Sequence, residues 1–451
     1  MRIIIVGVGK IGLTITEMLS HEEHDITIID TNQAIVQNVI DTYDVKGVVG
    51  NGASNEVLMN ALAQKSDILI ASTSSDEINI LSCLVSRKFG VKYTIARVRN
   101  PEYSSQIDFF HKVLGISLIV NPELETAYEI YRILRFPQAL KIDSFANGRV
   151  EIAEMIVKNN SPLVGKSLSE IRKELDVNVL ICIVERNQRT YIPDGNFILQ
   201  ANDRIYVNAE NYEVNRFFKK AGSVMSKVKT VMIIGGSRIA YYLAKRLVKS
   251  KIMVKIIEIE KKRCEEFCKL LPEVDIICGE GSDQALLFEE GIENVDALVT
   301  LTGYDEDNII ISLFAQTIKV PKIITKVNRY NLSSILKKIN LDSIITPKEV
   351  IANQIIRYIR SLENTIESEV RTLYKLANNQ VEASEFYISE PTKFTGIPLK
   401  DLKLKPNTLI ASIIRGNQVI IPSGQDYMLP NDSVIVVTNN NYIHNLEDII
   451  L

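Results

Sequence analysis

Residues 1–30 read MRIIIVGVGKIGLTITEMLSHEEHDITIID, and this stretch decides the fold. Its β-branched run Arg2–Val6 predicts a buried strand, Ile11–Leu19 predicts a helix, and Ile26–Ile29 predicts a second strand. A strand, a tight turn, a helix and a second strand, in this order, form the first unit of a parallel α/β sheet.

The turn in this unit has the pattern G-x-G-x-x-G, formed by Gly7, Gly9 and Gly12. In a dinucleotide-binding turn the first glycine permits the tight bend and the second lets backbone N–H groups approach a pyrophosphate. The third lets the helix pack closely on the strand. Asp30 follows at the distance from which a carboxylate accepts hydrogen bonds from the adenosine ribose hydroxyls. Because strand, helix and acid provide the expected context, we predict a dinucleotide or adenine-nucleotide site here.

The composition of the whole chain limits the classes of function. The chain has 451 residues, of which 46% are hydrophobic and 24% charged, and this predicts a globular protein of two to four domains. The net charge of −3 argues against a nucleic-acid partner, because such binders are usually basic. No apolar run approaches the ~20 residues of a membrane span, so we expect a cytoplasmic protein. The five cysteines are an odd number, which fits reduced thiols in a reducing compartment, and without a C-x-x-C pattern or a nearby histidine they predict no metal site.

The opening unit occurs twice in the chain. Residues from Lys229 read KTVMIIGGSRIAYYLAKRLVKSKIMVKIIEIE, in which Gly235 aligns with Gly7 and Glu258 with Asp30 at one offset. Further pairs keep the same order: Gly50–Gly52 with Gly279–Gly281, Asp67 with Asp296, Asp76 and Glu77 with Asp305 and Glu306, Asn79 with Asn308, and Arg97 with Lys326. An order that is held over roughly a hundred residues indicates gene duplication.

The repetition continues beyond the nucleotide-binding part. Three later motifs also recur: Leu163–Leu168 as Phe394–Leu399, Ile192–Gly195 as Ile421–Gly424, and Asn202–Val207 as Asn431–Val436. The predicted fold class is therefore α/β, with two tandem Rossmann-like doubly wound parallel sheets, each followed by a small α+β domain. The predicted boundaries are 1–123 and 228–348 for the Rossmann-like domains, and 140–225 and 366–451 for the small domains.

Apolar segments that alternate with helical patterns predict the remaining elements of the first half. Strands are predicted at Lys46–Val49, Ile68–Ile70, Tyr93–Val98 and Leu118–Val120, and helices that link large and small domains at Thr126–Leu134 and Val350–Ile366. In the first small domain we predict strands near Val150–Val157, Val179–Val184 and Arg204–Val207, a helix near Leu168–Leu175, and a hairpin turn near Asn187 and Gln188.

Residues at the carboxyl ends of the predicted strands are further candidate contacts, because ligands of open parallel sheets bind there. The candidates in the first repeat are Gly7, Val8, Gly9, Lys10, Ile11, Gly12, Asp30, Thr31, Asn51, Gly52, Ala53, Ser72, Thr73, Ser74 and Arg97. Asp76 is predicted to cap a helix over Ile78–Lys88. For Asn79 and Arg99, ligand contact and a solvated or capping role both stay open.

The two predicted nucleotide sites differ. The candidates in the second repeat are Gly235, Ser237, Arg238, Glu258 and Glu280. Ser237 replaces the glycine that lets backbone approach phosphate, although its hydroxyl can bond an anion. We expect this repeat to bind an adenylated ligand with a different affinity or specificity; the alternative is a vestigial site kept for its fold. In the first repeat Asp30 repels a ribose 2′-phosphate and no arginine follows it, so NAD is expected in preference to NADP.

The chain offers cofactor-binding residues without a recognisable catalytic set. Its four histidines are His21, His24, His111 and His444, and none follows a predicted strand beside the expected nicotinamide. The sequence also lacks the motifs G-x-S-x-G, H-E-x-x-H and a Walker lysine motif. We therefore predict a sensor rather than an enzyme, in which ligand shifts a conformational equilibrium. The alternatives are an NAD-dependent dehydrogenase of duplicated Rossmann type and a scaffold with vestigial sites.

The order of these features resembles the TrkA family, the peripheral regulatory subunits of bacterial Trk potassium-uptake systems, in which two regulator-of-potassium-conductance (RCK) units stand in tandem. The resemblance covers essentially the whole chain. It rests on Gly7–Gly12 with Asp30, on Gly50–Ser54, Asp76–Asn79, Ala96–Tyr103 and Ile119–Glu123, and on the repetition of this series.

The resemblance implies a cytoplasmic protein that binds NAD(H), with ATP or ADP as further candidates at one or both sites. It implies a homo-oligomer, a tetrameric ring, held on the inner face of the cell membrane by an integral potassium-translocating subunit of the TrkH or TrkG type. The residues that fit the family's nucleotide site are Gly7, Gly9, Gly12, Asp30, Asn51, Ala53 and Arg97. The second repeat departs from the family pattern at Ser237.

Overall fold

The structure, a computed structural model, describes residues 1–22, 24–100, 103, 107–187, 189–222, 227–329, 341, 343–367, 370–377, 380–439, 443 and 445–451. Of the sequence features above, Pro101, Glu102, Gln188 and His444 lie outside these ranges. The chain forms two compact units. The large unit comprises Met1–Tyr131 and Lys229–Ile356, and the small unit comprises Arg132–Val228 and Arg357–Leu451. Each unit therefore combines equivalent parts of the two repeats.

The strands are numbered in chain order. Those of the first half are β1 Arg2–Val6, β2 Asp25–Asp30, β3 Lys46–Val49, β4 Ile68–Ala71, β5 Tyr93–Arg97, β6 Leu118–Val120, β7 Lys141–Phe145, β8 Val150–Ile156, β9 Leu180–Arg186, β10 Arg189–Tyr191 and β11 Arg204–Glu210. Its helices span Lys10–Leu19, Gln33–Thr42, Asn55–Asn60, Asp76–Lys88, Ile107–Lys112, Pro122–Arg135, Leu168–Leu175 and Asn211–Lys220.

The second half repeats this order. Its strands are β12 Thr230–Ile234, β13 Met253–Glu258, β14 Asp275–Cys278, β15 Ala297–Thr300, β16 Lys322–Lys326, β17 Ile344–Ile345, β18 Val370–Leu376, β19 Val381–Tyr387, β20 Thr408–Arg415, β21 Gln418–Ile420 and β22 Asp432–Thr438. Its helices span Arg238–Lys249, Lys261–Leu270, Gln284–Glu289, Asp305–Thr317 and Pro347–Glu367.

The large unit contains two parallel sheets of six strands with the same topology. Their orders are β3-β2-β1-β4-β5-β6 and β14-β13-β12-β15-β16-β17, which is the doubly wound Rossmann order. Strand β1 lies at the centre of its sheet, and Ile3–Val6 are buried, because helices cover both faces of such a sheet. In both sheets the order reverses beside the central strand, and this is where open α/β sheets bind ligands.

The small unit contains two antiparallel sheets of five strands, in the orders β10-β9-β11-β8-β7 and β18-β19-β22-β20-β21. One hydrophobic cluster joins them, because Phe145, Ile152 and Ile183 of the first sheet pack with Ala383 and Ile435 of the second. A buried amide adds specificity to this contact. Asn208 Nδ2 donates to the Ala411 carbonyl oxygen and the Ser412 hydroxyl, both at 2.7 Å.

The fold class is confirmed: two Rossmann-like sheets and two small α+β domains. Helices occur at both places where linkers were predicted, and each begins in the large unit and ends in the small one. Three elements of the first small domain were missed: β7, β10 and the helix Asn211–Lys220. Among the described helices, none is both long enough and apolar enough to cross a bilayer.

Candidate nucleotide-binding site

A cleft of about 890 Å³ opens at the carboxyl ends of β1, β2, β4 and β5 in the large unit. Twelve of the candidates from the first repeat line it: Gly7, Gly9, Lys10, Ile11, Asp30, Thr31, Asn51, Gly52, Ser72, Thr73, Ser74 and Arg97. Three others, Val8, Gly12 and Ala53, are not among its lining residues. The cleft is of the size that small-molecule and cofactor sites have, a few hundred to about 1,000 Å³.

The glycine turn is shaped by close backbone contacts. Gly7 has φ +85°, a conformation that disfavours a side chain, and a Cβ on it would lie 2.7 Å from the Thr73 nitrogen. A Cβ on Gly12 would overlap the Gly7 carbonyl oxygen and come within 2.9 Å of the Ser72 hydroxyl. A Cβ on Gly9, in contrast, would meet only open space. Gly7 and Gly12 therefore hold the turn together, while Gly9 leaves room for a ligand.

Asp30 is fixed by the turn that it faces. Its Oδ2 accepts a hydrogen bond from the Val8 nitrogen at 2.8 Å, and its Oδ1 accepts one from the Asn32 nitrogen at 2.9 Å. A carboxylate has about four acceptor positions, so each oxygen keeps capacity for a ribose hydroxyl. Val8 thus acts through its backbone, and Ala53 does so too, because its nitrogen donates to Asn51 Oδ1 at 2.9 Å.

Asn79 holds the loop after β4, which lines the cleft, through side-chain hydrogen bonds. Its Oδ1 accepts from the nitrogen and the hydroxyl of Thr73 at 2.8 and 2.7 Å, and its Nδ2 donates to the Arg97 carbonyl oxygen at 2.8 Å. Its side chain is fully buried, so it is neither a solvated residue nor a lining residue of the cleft. Asn308 makes equivalent bonds to Thr302 and Lys326 in the second repeat.

The prediction that Asp76 caps the following helix is wrong. The helix begins at Asp76 itself, and Ser75 is the N-cap, with its hydroxyl accepting from the Ile78 nitrogen. Asp76 instead accepts hydrogen bonds from the backbone nitrogens of Arg99 and Asn100, at 2.9 and 2.8 Å, and so holds the loop after β5. The Arg99 side chain pairs with Glu123 at 2.6 Å on the rim of the cleft.

Cations from both repeats converge on this cleft. Arg97 donates through Nη1 to the Thr73 carbonyl oxygen at 2.9 Å, but its buried Nε atom has no partner. Burial lowers the pKa of Arg97, and the neighbouring positive charges of Arg99 and Arg238 act in the same direction. Burial likewise lowers the pKa of Lys326, with a further contribution from Lys10, while Asp305 opposes the shift. An anionic group in the cleft would relieve this mutual repulsion.

The second repeat contributes a wall of the same cleft. Ser237 and Arg238 were predicted for the second repeat's own site, but they line this cleft together with Ile239, Lys326, Asn328, Pro347 and Lys348. Sequence reasoning missed the last five, because they lie far from the first glycine turn along the chain. The repeat itself was the available signal, since two equivalent domains can pack with their ligand-binding edges facing each other.

The second repeat's own glycine turn is hydrogen-bonded to protein side chains. Gly235 has φ +99°, like Gly7, and Glu258 accepts from the Gly236 nitrogen as Asp30 does from Val8. The Ser237 hydroxyl caps its own helix, accepting from the Ala240 nitrogen at 3.3 Å. Arg263 Nε donates to the Gly236 carbonyl oxygen at 2.9 Å, and its guanidinium lies 4.6 Å from the centre of the Phe267 ring. The side chain of Arg263 therefore covers this turn.

Glu280 is the remaining predicted residue of the second repeat. Its Oε1 accepts from the Ser282 hydroxyl at 2.6 Å, within the loop that follows β14. It takes the place that Asn51 has in the first repeat, so a second carboxylate joins Glu258 on this side of the sheet.

Comparisons with known proteins agree with this architecture. The family model of the TrkA-N domain matches residues 3–122 and 231–347, and that of the TrkA-C domain matches 152–222 and 383–451. The Trk system potassium uptake protein TrkA homolog 1 of Methanosarcina mazei is 31% identical over 444 residues, which cover 97% of each chain. The chain belongs to the TrkA family. The Trk system potassium uptake protein TrkA of Vibrio alginolyticus is also 31% identical, over 453 residues that cover 99% of this chain and 98% of the other.

Solved structures show the same fold at lower identity. The structure titled "GsuK channel bound to NAD" aligns with a TM-score of 0.63 and 18% identity, covering 97% of this chain and 76% of that one. The GsuK RCK domain aligns with a TM-score of 0.63 and 17% identity, covering 97% and 92%. The resemblance to tandem RCK units, stated above on sequence motifs, is thus confirmed at the level of family and fold.

Proposed function

We propose that this chain is a nucleotide-sensing regulatory subunit of a potassium-uptake system. The observation that carries the proposal is the cleft in which the glycine turn and Asp30 of the first repeat face Arg238 and Lys326 of the second. A ligand in such a cleft contacts both domains at once. The names of the full-length TrkA relatives support the assignment to potassium uptake.

The proposed ligand is NAD(H), with ATP or ADP as alternatives that offer the same adenosine and phosphates. Asp30 would accept the adenosine ribose hydroxyls, and the pyrophosphate would lie at the start of the helix Lys10–Leu19. Gly9 is the N-cap of that helix and provides no side-chain cap, and Arg97 adds a positive charge to the lining of the cleft. Because Asp30 repels a 2′-phosphate and Thr31 and Asn32 follow it, NADP is expected to bind more weakly.

The proposed mechanism is a shift between two arrangements of the Rossmann domains. Phosphate groups neutralise cations of both repeats, so the ligand favours the arrangement in which those cations are close together. The coupling reaches an integral potassium-translocating subunit of the TrkH or TrkG type. We propose that the chain acts as a homotetrameric ring, peripheral on the inner face of the membrane.

For the second repeat we propose a weaker site or none. Gly235, Glu258 and Glu280 keep the outline of a nucleotide site, but Arg263 covers the turn and Ser237 uses its hydroxyl as a helix cap. An adenylated ligand would have to displace Arg263 from the Gly236 carbonyl oxygen, and this displacement costs binding free energy.

A dehydrogenase of duplicated Rossmann type is the competing function. In the part of the chain that the structure describes, the cleft is lined by no histidine or cysteine, the side chains that most often act in acid–base or covalent steps. This favours a sensor. Substrate-dependent oxidation of NADH by the purified chain would favour the enzyme instead.

The test combines binding with transport. Calorimetry on the purified chain should detect NADH and ATP or ADP, with NADPH weaker. In cells that lack their own regulatory subunit, the wild-type chain should restore regulated potassium uptake and Asp30→Ala should not. Asp41→Ala is a matched control, because Asp41 is an exposed acid of the helix Gln33–Thr42 whose Oδ1 accepts a hydrogen bond from Gln37 of the same helix. If none of these nucleotides binds and Asp30→Ala regulates uptake normally, the proposal fails.

A further inference from the structure

Three of the five cysteines lie close together in the second repeat. Cys264 and Cys268 are one turn apart on the helix Lys261–Leu270, and Cys278 ends strand β14. The other two, Cys83 and Cys182, are fully buried in other domains, where burial raises the pKa of each thiol. Each is also the single cysteine of its domain, so the three in the second repeat are the chain's candidates for disulfide formation within a domain.

The first repeat shows that the fold does not require these cysteines. At the positions equivalent to Cys264, Cys268 and Cys278 it has Val36, Ile40 and Val49. Val36 and Ile40 pack together beside Gly47 of β3, which is the ordinary contact of helix and sheet at this place. The second repeat thus has a thiol at each of three positions where aliphatic side chains suffice.

The backbone brings Cys264 and Cys278 to the same point. The Cys264 Sγ atom lies 3.2 Å from the Glu258 carbonyl oxygen, and that oxygen also accepts from the Gly279 nitrogen at 2.9 Å. Glu258 is the direct partner of Cys278 in the pairing of β13 with β14. The thiol of one cysteine and the strand end that carries the other therefore meet at one carbonyl group.

The two thiols differ in access. Cys264 is buried, whereas Cys278 is exposed to solvent. Burial raises the pKa of Cys264 to about 12, and the neighbouring Cys278, Glu258 and Cys268 act in the same direction. Within the described ranges no three cysteine, histidine or acidic side chains are placed to hold a metal ion. A thiol pair with one exposed and one protected member fits oxidation better than metal binding.

We propose that Cys264 and Cys278 are a redox modification site that forms a reversible disulfide within one chain. The oxidant is a peroxide. The Cys278 sulfur attacks one peroxide oxygen, the O–O bond breaks, and Cys278 becomes a sulfenic acid with release of one water. The Cys264 sulfur then attacks the Cys278 sulfur, the S–O bond breaks, and the Cys264 proton leaves with the hydroxide as a second water. Two thiols lose two hydrogens, and one hydrogen peroxide is reduced to two waters.

The site is separate from the proposed nucleotide cleft. The disulfide would join the helix Lys261–Leu270 to β14 beside Glu258, and none of the three cysteines lines the cleft of the first repeat. Oxidation should therefore leave NADH binding at the first repeat unchanged. A chain that forms no disulfide would overturn this proposal and leave the nucleotide proposal standing, whereas a chain that binds no nucleotide would do the reverse.

The test uses the full-length chain, reduced and then treated with hydrogen peroxide. We expect the intact mass to fall by two hydrogens, two of the five thiols to become unreactive to alkylation, and a peptide map to link Cys264 to Cys278. A dithiol reductant should restore both thiols. The first repeat supplies matched variants: Cys264→Val and Cys278→Val should each abolish the link, and Cys268→Ile should leave it intact.

Other results would overturn the proposal. These are an unchanged mass, a gain of oxygen without a disulfide, a link through Cys268, or a link between two chains. Cys278→Val keeps the test sound if Cys264→Val fails to fold, because residue 278 is an exposed strand end where the first repeat already has a valine.

Discussion

The two glycine turns of the large unit share a backbone and differ in what covers them. Gly7 and Gly235 have similar positive φ angles, and Asp30 and Glu258 each accept a hydrogen bond from the residue that follows this glycine. The first turn is open above Gly9, whereas Arg263 lies across the second. A duplicated fold can thus keep the backbone geometry of a nucleotide site in both copies while the side chains that contact the turn differ.

The start of the first Rossmann helix in the second repeat lines the cleft of the first repeat. Ser237 and Arg238 begin a helix that would face phosphate in an ordinary Rossmann site, yet they line the cleft of the first repeat. The cleft of the first repeat is therefore lined by residues of both Rossmann-like domains. Variants of equivalent residues in the two repeats, and of two arginines in the second repeat, test this difference.

The largest effect is expected at the third glycine of the turn. Gly12→Ala forces a Cβ against the Gly7 carbonyl oxygen, while the second repeat already has Ala240 at this place. We expect a loss of about 3 kcal/mol in unfolding free energy and no detectable NADH binding. Thermal unfolding and calorimetry measure both. The reverse change, Ala240→Gly, should cost only about 1 kcal/mol, through helix propensity; equal losses in the two variants would contradict the comparison.

The next largest effect concerns the small domains and pH. Burial raises the pKa of Glu151 from 4.5 to about 7, although the Ser144 hydroxyl, Arg132 and Arg135 oppose the shift. The folded state then binds the proton more tightly than the unfolded state, so stability is complete below pH 4.5 and falls as the pH rises to about 7. The expected fall is on the order of 2–3 kcal/mol.

Urea unfolding at several pH values measures this fall. Glu151→Gln should remove it, because an amide does not ionise. Glu382→Gln is the control in the second repeat, since Glu382 is its half-buried equivalent on β19, and it should keep the wild-type pH dependence. The same pH profile in Glu151→Gln as in the wild type would show that another group is responsible.

A smaller effect on NADH affinity is expected from two arginines of the second repeat, one in the cleft and one at the second turn. Arg238→Gln removes a cation of the cleft, so NADH affinity should fall about tenfold, the effect of one charge-assisted hydrogen bond. Arg263→Gln lies on the same repeat but covers the other turn, and it should leave this affinity unchanged. Calorimetry decides between them. If Arg263→Gln weakens binding and Arg238→Gln does not, the ligand lies at the second turn.

The smallest effect is the ionic-strength dependence of the same pair. Salt lowers the affinity of a site in which several cations bind phosphate groups. Removal of one exposed cation makes the affinity less sensitive to salt. We expect the affinity of Arg238→Gln to fall less steeply with salt than that of the wild type, and that of Arg263→Gln to fall as steeply. Parallel salt titrations provide the measurement, and identical slopes for all three proteins would remove Arg238 from the phosphate environment.

Local patterns could be read from the sequence, and contacts between domains could not. The turn at Gly7–Gly12, the acid at Asp30 and the two linker helices follow from spacing within about thirty residues, the length of one βαβ unit. The wall formed by Arg238 and Lys326 depends on how two domains pack, which no local pattern encodes. The contact of Arg263 with the second glycine turn could not be predicted either, because it depends on the conformation of one side chain on the helix Lys261–Leu270.

The role of Asp76 shows a different limit. An acid at the start of a helix usually caps it, and here the preceding Ser75 does so instead, which frees the Asp76 carboxylate for the loop after β5. In a run of Ser74, Ser75 and Asp76 each residue is a good N-cap, so sequence alone cannot choose among them.

The stoichiometry of NADH binding tests the central claim most directly. Titration calorimetry on the full chain should give one NADH per chain, which is lost in Asp30→Ala and retained in Glu258→Ala. The paired variants remove equivalent carboxylates from equivalent turns. Two NADH per chain, with one lost in each variant, would contradict the account, because both turns would then be open sites.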